Sequence, residues 1–206
     1  MKPMLMNTEM VKAILAGRKT VTRRLIKPQP PFDNDSIYLR YVKDGIGRFG
    51  QGTPGNSCAL CDRKMPYQSG DVLYVRETWC KGSLNGGADQ YFYRADDNDF
   101  HCQWRPSIHM PKEAARIFLR VTGVRVERLQ DIRLEGCLAE GVQLTFLEER
   151  DFAKRGLIAW QRYSTVWDST IKKSDLGKYG WDANPWVWVI SFERISKEEA
   201  VKNEGD

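Results

Sequence analysis

Histidine is almost missing from this chain, with two in 206 residues, so a histidine-built metal centre has no material. Long apolar runs are missing too, and nothing approaches the roughly 20 residues that a membrane span requires. The opening Met1-Lys2-Pro3-Met4-Leu5-Met6 has one positive charge and no extended apolar region. No secretory signal is expected, and a cytoplasmic location without a membrane partner follows. Cysteine is sparse and odd in number, five in all, which argues against a disulfide framework in a cytosolic protein. There is no P-loop, no dinucleotide fingerprint, no G-x-S-x-G elbow and no internal repeat, and nothing calls for a cofactor.

What is present is ordinary in bulk. Hydrophobic residues make up 41% and charged residues 29%, enough for a buried core. Seven tryptophans, eight tyrosines and eight phenylalanines lean toward a β-rich fold with aromatic walls. The net charge of +5 is compatible with a polyanionic partner. Arginines at 116, 120, 125 and 128 read equally well as a basic patch or as a solvated strand face. Cys58-Ala59-Leu60-Cys61 has the spacing of half a zinc site, but no second pair exists, and Cys80, His101, Cys102 and His109 could complete four ligands only by folding back from a distance. No metal is therefore expected, and the alternative is two reduced thiols in an irregular loop.

Patterning predicts a first helix after Thr8, with Val11, Ile14 and Leu15 on one face and Gly17 at its end. A strand is expected over 20–26, stopped by Pro28. Residues 32–68, with glycines at 45, 47, 50, 52 and 55, read as a loop-rich insertion rather than a second domain. Strands are predicted over 72–79, 91–94 and 117–129, and helices over 131–140 and 147–169, the latter broken at Gly156. Trp186-Val187-Trp188-Val189-Ile190 is apolar on both faces and belongs at the centre of a sheet. Residues 1–196 would form a single α+β domain, a small curved sheet or β-barrel with short helices between strands, and 197–206 a charged, frayed tail. Oligomeric state leaves no mark.

The richest stretch is Ala16-Gly17-Arg18-Lys19-Thr20-Val21-Thr22-Arg23-Arg24, where a lysine, a threonine hydroxyl and arginines follow a glycine helix stop. Such a set makes either a nucleophile with its base or a grip for an anion. Gly17, Lys19, Thr22 and Arg24 fit G-x-K-x-x-T-x-R, and the chain here resembles the ASCH domains of the PUA-like superfamily. Gly70-Asp71-Val72-Leu73, Ala139-Glu140-Gly141 and the closing Asn184 to Ile190, which is similar to phage and prophage members, extend the likeness outside 32–68. The resemblance implies a PUA-like barrel and a protein that handles a nucleoside or an RNA or DNA base. One ASCH group removes the acetyl group from N(4)-acetylcytidine with a lysine, a threonine and a glutamate. Those would be Lys19, Thr22 and Glu140 here, in a chain about twice as long.

The chemistry asks for a buried or cation-flanked lysine, since only a lowered pKa makes it a base for Thr22. Arg18, Arg23 and Arg24 would depress it and Glu140 would oppose them; alternatively Glu140 carries the proton and Lys19 stabilises the oxyanion. Arg24 would hold the site or an anion. Glu77 and Trp79 share a strand face and could bind and stack a base, or Trp79 could be core with Glu77 paired to an arginine. His109, in a proline-bounded loop, is a further candidate for lining the site. Two rivals stand beside amide hydrolysis: a non-catalytic RNA- or DNA-binding module, and a nuclease in which Lys19 stabilises phosphate charge.

Overall fold

The structure, a computed structural model, describes residues 1–30, 37–43, 45–53, 56–83, 87–96 and 102–202; over 37–43, 51–53 and 56–60 it describes the backbone alone. In chain order the regular elements begin with β1 (Lys2–Leu5), α1 (Thr8–Leu15), β2 (Val21–Leu25), β3 (Ile37–Lys43), β4 (Ile46–Thr53) and β5 (Asn56–Lys64). They continue with β6 (Val72–Arg76), β7 (Trp79–Gly82), β8 (Gln90–Tyr93), β9 (Phe118–Arg128), α2 (Leu134–Ala139) and α3 (Phe146–Arg150). The last are α4 (Arg155–Ser169), α5 (Leu176–Tyr179), β10 (Trp186–Ile195) and α6 (Lys197–Lys202). The fold is α+β, with open sheets and short helices. A five-stranded sheet has the order β1-β6-β9-β10-β2, β3-β4-β5 form a second sheet, and β7-β8 a hairpin. No helix among the described residues is long and apolar enough to cross a membrane.

The chain divides into two compact units, residues 1–20 with 70–122 and 192–206, and residues 21–69 with 123–191. In the first, β1 runs parallel to β6, which pairs antiparallel with β9 through Val72–Arg120. Helix α1 starts where the Asn7 side chain accepts from the Met10 amide at 2.8 Å, and it buries Val11, Ala13 and Ile14. It ends at Gly17, whose φ of +72° suits a residue without Cβ, and the Arg18 and Lys19 amides both donate to the Ala13 carbonyl. Residues 197–202, expected to fray, are helical instead. Ser196 and Glu199 cap each other's backbone amides and Ala200 is fully buried, a capping box that the high charge obscured.

In the second unit β2 pairs antiparallel with β10, Thr22 opposite Ile190 and Arg24 opposite Trp188. Residues Trp186 to Ile190 are buried without exception, and β10 lies between β9 and β2, as its two-sided hydrophobicity requires. The alternate residues Val187 and Val189 pack with Cys137 of α2 and with Ala159, Tyr163 and Trp167, the buried stripe of α4.

The loop reading of 32–68 is corrected: 37–64 is largely a three-stranded antiparallel sheet. Asp44-Gly45 is a two-residue hairpin signal in the sequence; Gly45 takes a φ of +75°, and Gly47, Gly50 and Gly52 stand within β4. Phe49, wholly buried, packs on Trp188 with ring centroids 5.7 Å apart, and Arg63 donates to the carbonyls of Pro28 and Gln29.

The cysteine-parity argument against disulfides is corrected as well. Cys80 and Cys102 form a disulfide, brought together where Trp79 bridges to Arg105, so neither can serve as a zinc ligand. Five cysteines leave room for one such pair, which an odd count does not exclude. Cys61 is free and half-buried, the Cys58 side chain and His101 lie outside the described residues, and no cluster of metal-ligating side chains occurs among the described residues. Closing a loop of 22 residues contributes about 3 kcal/mol. Dithiothreitol is expected to lower the melting temperature of the protein, and the double variant Cys80→Ser/Cys102→Ser to melt at the reduced value with no further response to reductant.

Candidate active site

Burying a charge without compensation is costly, so buried polar side chains in a small protein mark places held for a reason. Among the described residues five are buried: Lys19 at 2% exposure, Thr22 at 1%, Arg23 at 4%, Glu77 at 1% and Glu140 at 8%.

The first unit holds Lys19, Glu77, Trp79 and His109. Lys19 follows the α1 stop and is fixed through its backbone amide. Glu77 is gripped by both ends of the Arg116 fork, Nε to Oε1 at 2.9 Å and Nη2 to Oε2 at 3.0 Å, and Arg116 also binds Asp96 and lies 3.9 Å from the Tyr93 ring centroid. Burial raises the Glu77 carboxyl above the usual glutamate range, and Arg116 pulls it back only in part. Trp79 is 4% exposed, set edge-on to Tyr91 and under the Arg105 guanidinium. Here Glu77 has its arginine and Trp79 its core position. His109 sits exposed in a one-turn 3-10 helix, residues 107–109.

The second unit holds Thr22, Arg24 and Glu140. Adjacent strand residues point to opposite faces, so Thr22 and Arg24 share one face of β2 and Arg23 projects from the other. On that other face Arg23 meets Glu140, which caps the C-terminus of α2 with its amide bonded to the Gly136 carbonyl, before Gly141 at a φ of +98°. Arg23 Nη1 donates to Glu140 Oε1 at 3.2 Å, and the Tyr163 hydroxyl donates to the same oxygen at 3.2 Å. Arg23 Nε and Nη2 both donate to Glu127 Oε1 on β9.

The electrostatics follow from this arrangement. Burial works against the Arg23 charge, yet Glu140, Tyr163 and Glu127 more than offset it and hold the guanidinium above its ordinary value. Burial, then the Glu140 charge, keeps the Tyr163 phenol far above its usual range, so it stays a donor. Burial pushes the Cys137 thiol to about 11, which makes it a poor nucleophile at neutral pH.

Sequence reasoning singled out Glu140 but not Tyr163, which donates to it, nor Glu127, which shares Arg23 with it. Tyr163 carried a signal: a hydroxyl in the middle of the apolar stripe 159, 163, 167 needs a partner. The arginines at 116, 120 and 125 meet carboxylates, Arg120 through Glu193 and Arg125 through Glu127, and Arg128 stacks on Trp186. No protein-family model, curated protein or solved structure matches the chain.

Two outcomes are expected. Arg116→Ala strips the partner from a buried carboxylate and should cost about 3 kcal/mol in urea denaturation at neutral pH. Because the folded-state Glu77 carboxyl then titrates still higher above its unfolded value, stability should be retained at acid pH and lost as pH rises past the carboxylate range. Gly136 leaves no room, since a Cβ there would stand 2.9 Å from Ile132 Cγ1 and 3.2 Å from Arg23 Nη2. Gly136→Ala, ordinarily favourable in a helix by about 1 kcal/mol, should instead destabilise the protein in the same measurement.

Proposed function

We propose that this protein recognises a nucleoside or nucleic-acid base in the manner of an ASCH domain with a PUA-like fold, and that it removes the acyl group from N(4)-acylated cytidine. The observation that supports the reading best is burial: Lys19, Thr22 and Glu140, named together by the resemblance, are three of the five buried polar side chains among the described residues.

Lys19, three residues before Thr22 in the chain, takes the hydroxyl proton as Thr22 Oγ attacks the acetyl carbonyl carbon. The C–N4 bond breaks, N4 gains a proton and cytidine leaves. Water then adds to the threonine ester, the Thr22 oxygen regains its proton, and acetate departs. Arg24, on the same face of β2 as Thr22, steadies the developing oxyanion. Glu140 moves the protons of the leaving and hydrolytic steps. Its carboxylate is held by Arg23, on the face of β2 opposite Thr22.

We place the activity in the cytoplasm, where the thiol pool would hold Cys80 and Cys102 reduced; the disulfide is the observation that stands against this placement.

The test is cytidine release from N(4)-acetylcytidine. Turnover by the unaltered protein, with losses of at least a hundredfold in Lys19→Ala and Thr22→Ala of unchanged circular dichroism, is the expected result. Amide hydrolysis by these residues predicts no sensitivity to EDTA. No turnover would overturn the enzymatic reading. RNA binding that then falls steeply with salt would put the non-catalytic module in its place.

A further inference from the structure

We propose that Arg23 and Tyr163 are positioning residues for Glu140, fixing its carboxylate through one oxygen and keeping it ionised so that it can receive a proton before passing it on. This rests on the preceding reading of Glu140 as the proton carrier. Both donors converge on Oε1, at 3.2 Å each, one from β2 and one from α4, while the carboxylate itself comes from the end of α2. Two directions of approach on one oxygen set the orientation of the carboxyl group, which a single bond would leave free to rotate.

The guanidinium is itself immobilised. Its Nε and Nη2 are taken by Glu127 Oε1, and Glu127 Oε2 lies 3.3 Å from Arg125. The Tyr163 hydroxyl has no packing duty that a phenylalanine could not perform. Its ring meets Trp167 and Trp181 at centroid distances of 6.5 Å and 6.0 Å and lies 5.8 Å from the Arg23 guanidinium. What the hydroxyl adds is the bond to Glu140. Buried ion pairs are seldom favoured over apolar packing for stability alone, so an arginine committed to two carboxylates here serves something other than the core. Among the described residues, the titratable groups that act on Glu140 or on its partners include Arg23 from β2, Glu127 from β9, Tyr163 from α4, and Cys137 and Glu135 from α2 itself. Arg23 is cationic and Tyr163 and Cys137 are neutral at pH 7. Glu127 has both oxygens against arginines, Oε1 on Arg23 and Oε2 on Arg125, so the exchange of a proton with substrate is assigned to Glu140.

Two measurements decide the matter in Tyr163→Phe, Arg23→Lys and Arg23→Gln. The first is the pH profile of kcat and KM for N(4)-acetylcytidine; the second is the titration of the Glu140 carboxyl followed by carbon-13 NMR. Tyr163→Phe should lower kcat about tenfold with little change in KM and move the acid limb to higher pH. Arg23→Gln should move that limb further, and Arg23→Lys, which keeps the charge, should bring it back toward the unaltered position. Should both arginine variants fail to fold, Tyr163→Phe still decides. A folded Tyr163→Phe protein with an unaltered limb and an unaltered Glu140 titration overturns the proposal. If the unaltered protein shows no turnover, the preceding reading fails by itself. The titration then upholds the positioning pair if it rises in Tyr163→Phe, and overturns it if it does not.

Discussion

A guanidinium placed where water cannot reach it must be surrounded by anions or be expelled, and in the second unit that requirement organises everything near it. Arg23 extends from β2 to Glu127 on β9 and to Glu140 at the end of α2, and Tyr163 of α4 closes the set. One charged side chain thereby specifies how two strands of a sheet and two helices must be arranged. The apolar residues beside it would accept many registers, since Val187, Val189, Ala159 and Trp167 supply area rather than direction.

The energetic meaning of such a cluster is specificity before strength. Desolvating Arg23, Glu127 and Glu140 cancels much of the attraction among them, and stability comes from the aromatic and aliphatic residues packed around, Trp181, Trp160 and Trp167 among them. The first unit repeats the device in miniature. Arg116 there binds Glu77 and Asp96 and stacks on Tyr93, which turns a buried carboxylate from a liability into a fixed point.

Much of the fold was legible in local pattern. The apolar repeat of α1, the glycine stop at 17 and the two-faced hydrophobicity of β10 each state a physical requirement that the chain meets where it was expected, whereas the break expected at Gly156 falls at 151–154 and Gly156 lies inside α4. Failures came where a residue type has two uses. Glycines between 45 and 55 read as loop because strands seldom contain so many, although the Asp44-Gly45 pair carried the hairpin signal. The five cysteines gave a parity argument, and parity says nothing about one pair. Of the residues singled out by motif, Lys19, Thr22 and Glu140 were legible as positions of interest, and their burial is what the structure adds. The partners of Glu127 and Tyr163 were not legible, because the bonds that join them to Arg23 and Glu140 span 104 and 23 residues of sequence.

Neither unit is a continuous length of chain. The first is assembled from residues 1–20, 70–122 and 192–206, and β9 and β10 each pass from one unit into the other partway along their length. During synthesis the ribosome delivers β1, α1 and β6 long before Phe192 and the end of β10 exist. The contacts that complete the first unit therefore wait for nearly the whole chain, and the second unit receives its last strand only moments earlier. A protein built this way cannot be folded in instalments from its N-terminus, and its early strands spend translation without the neighbours that will cover them.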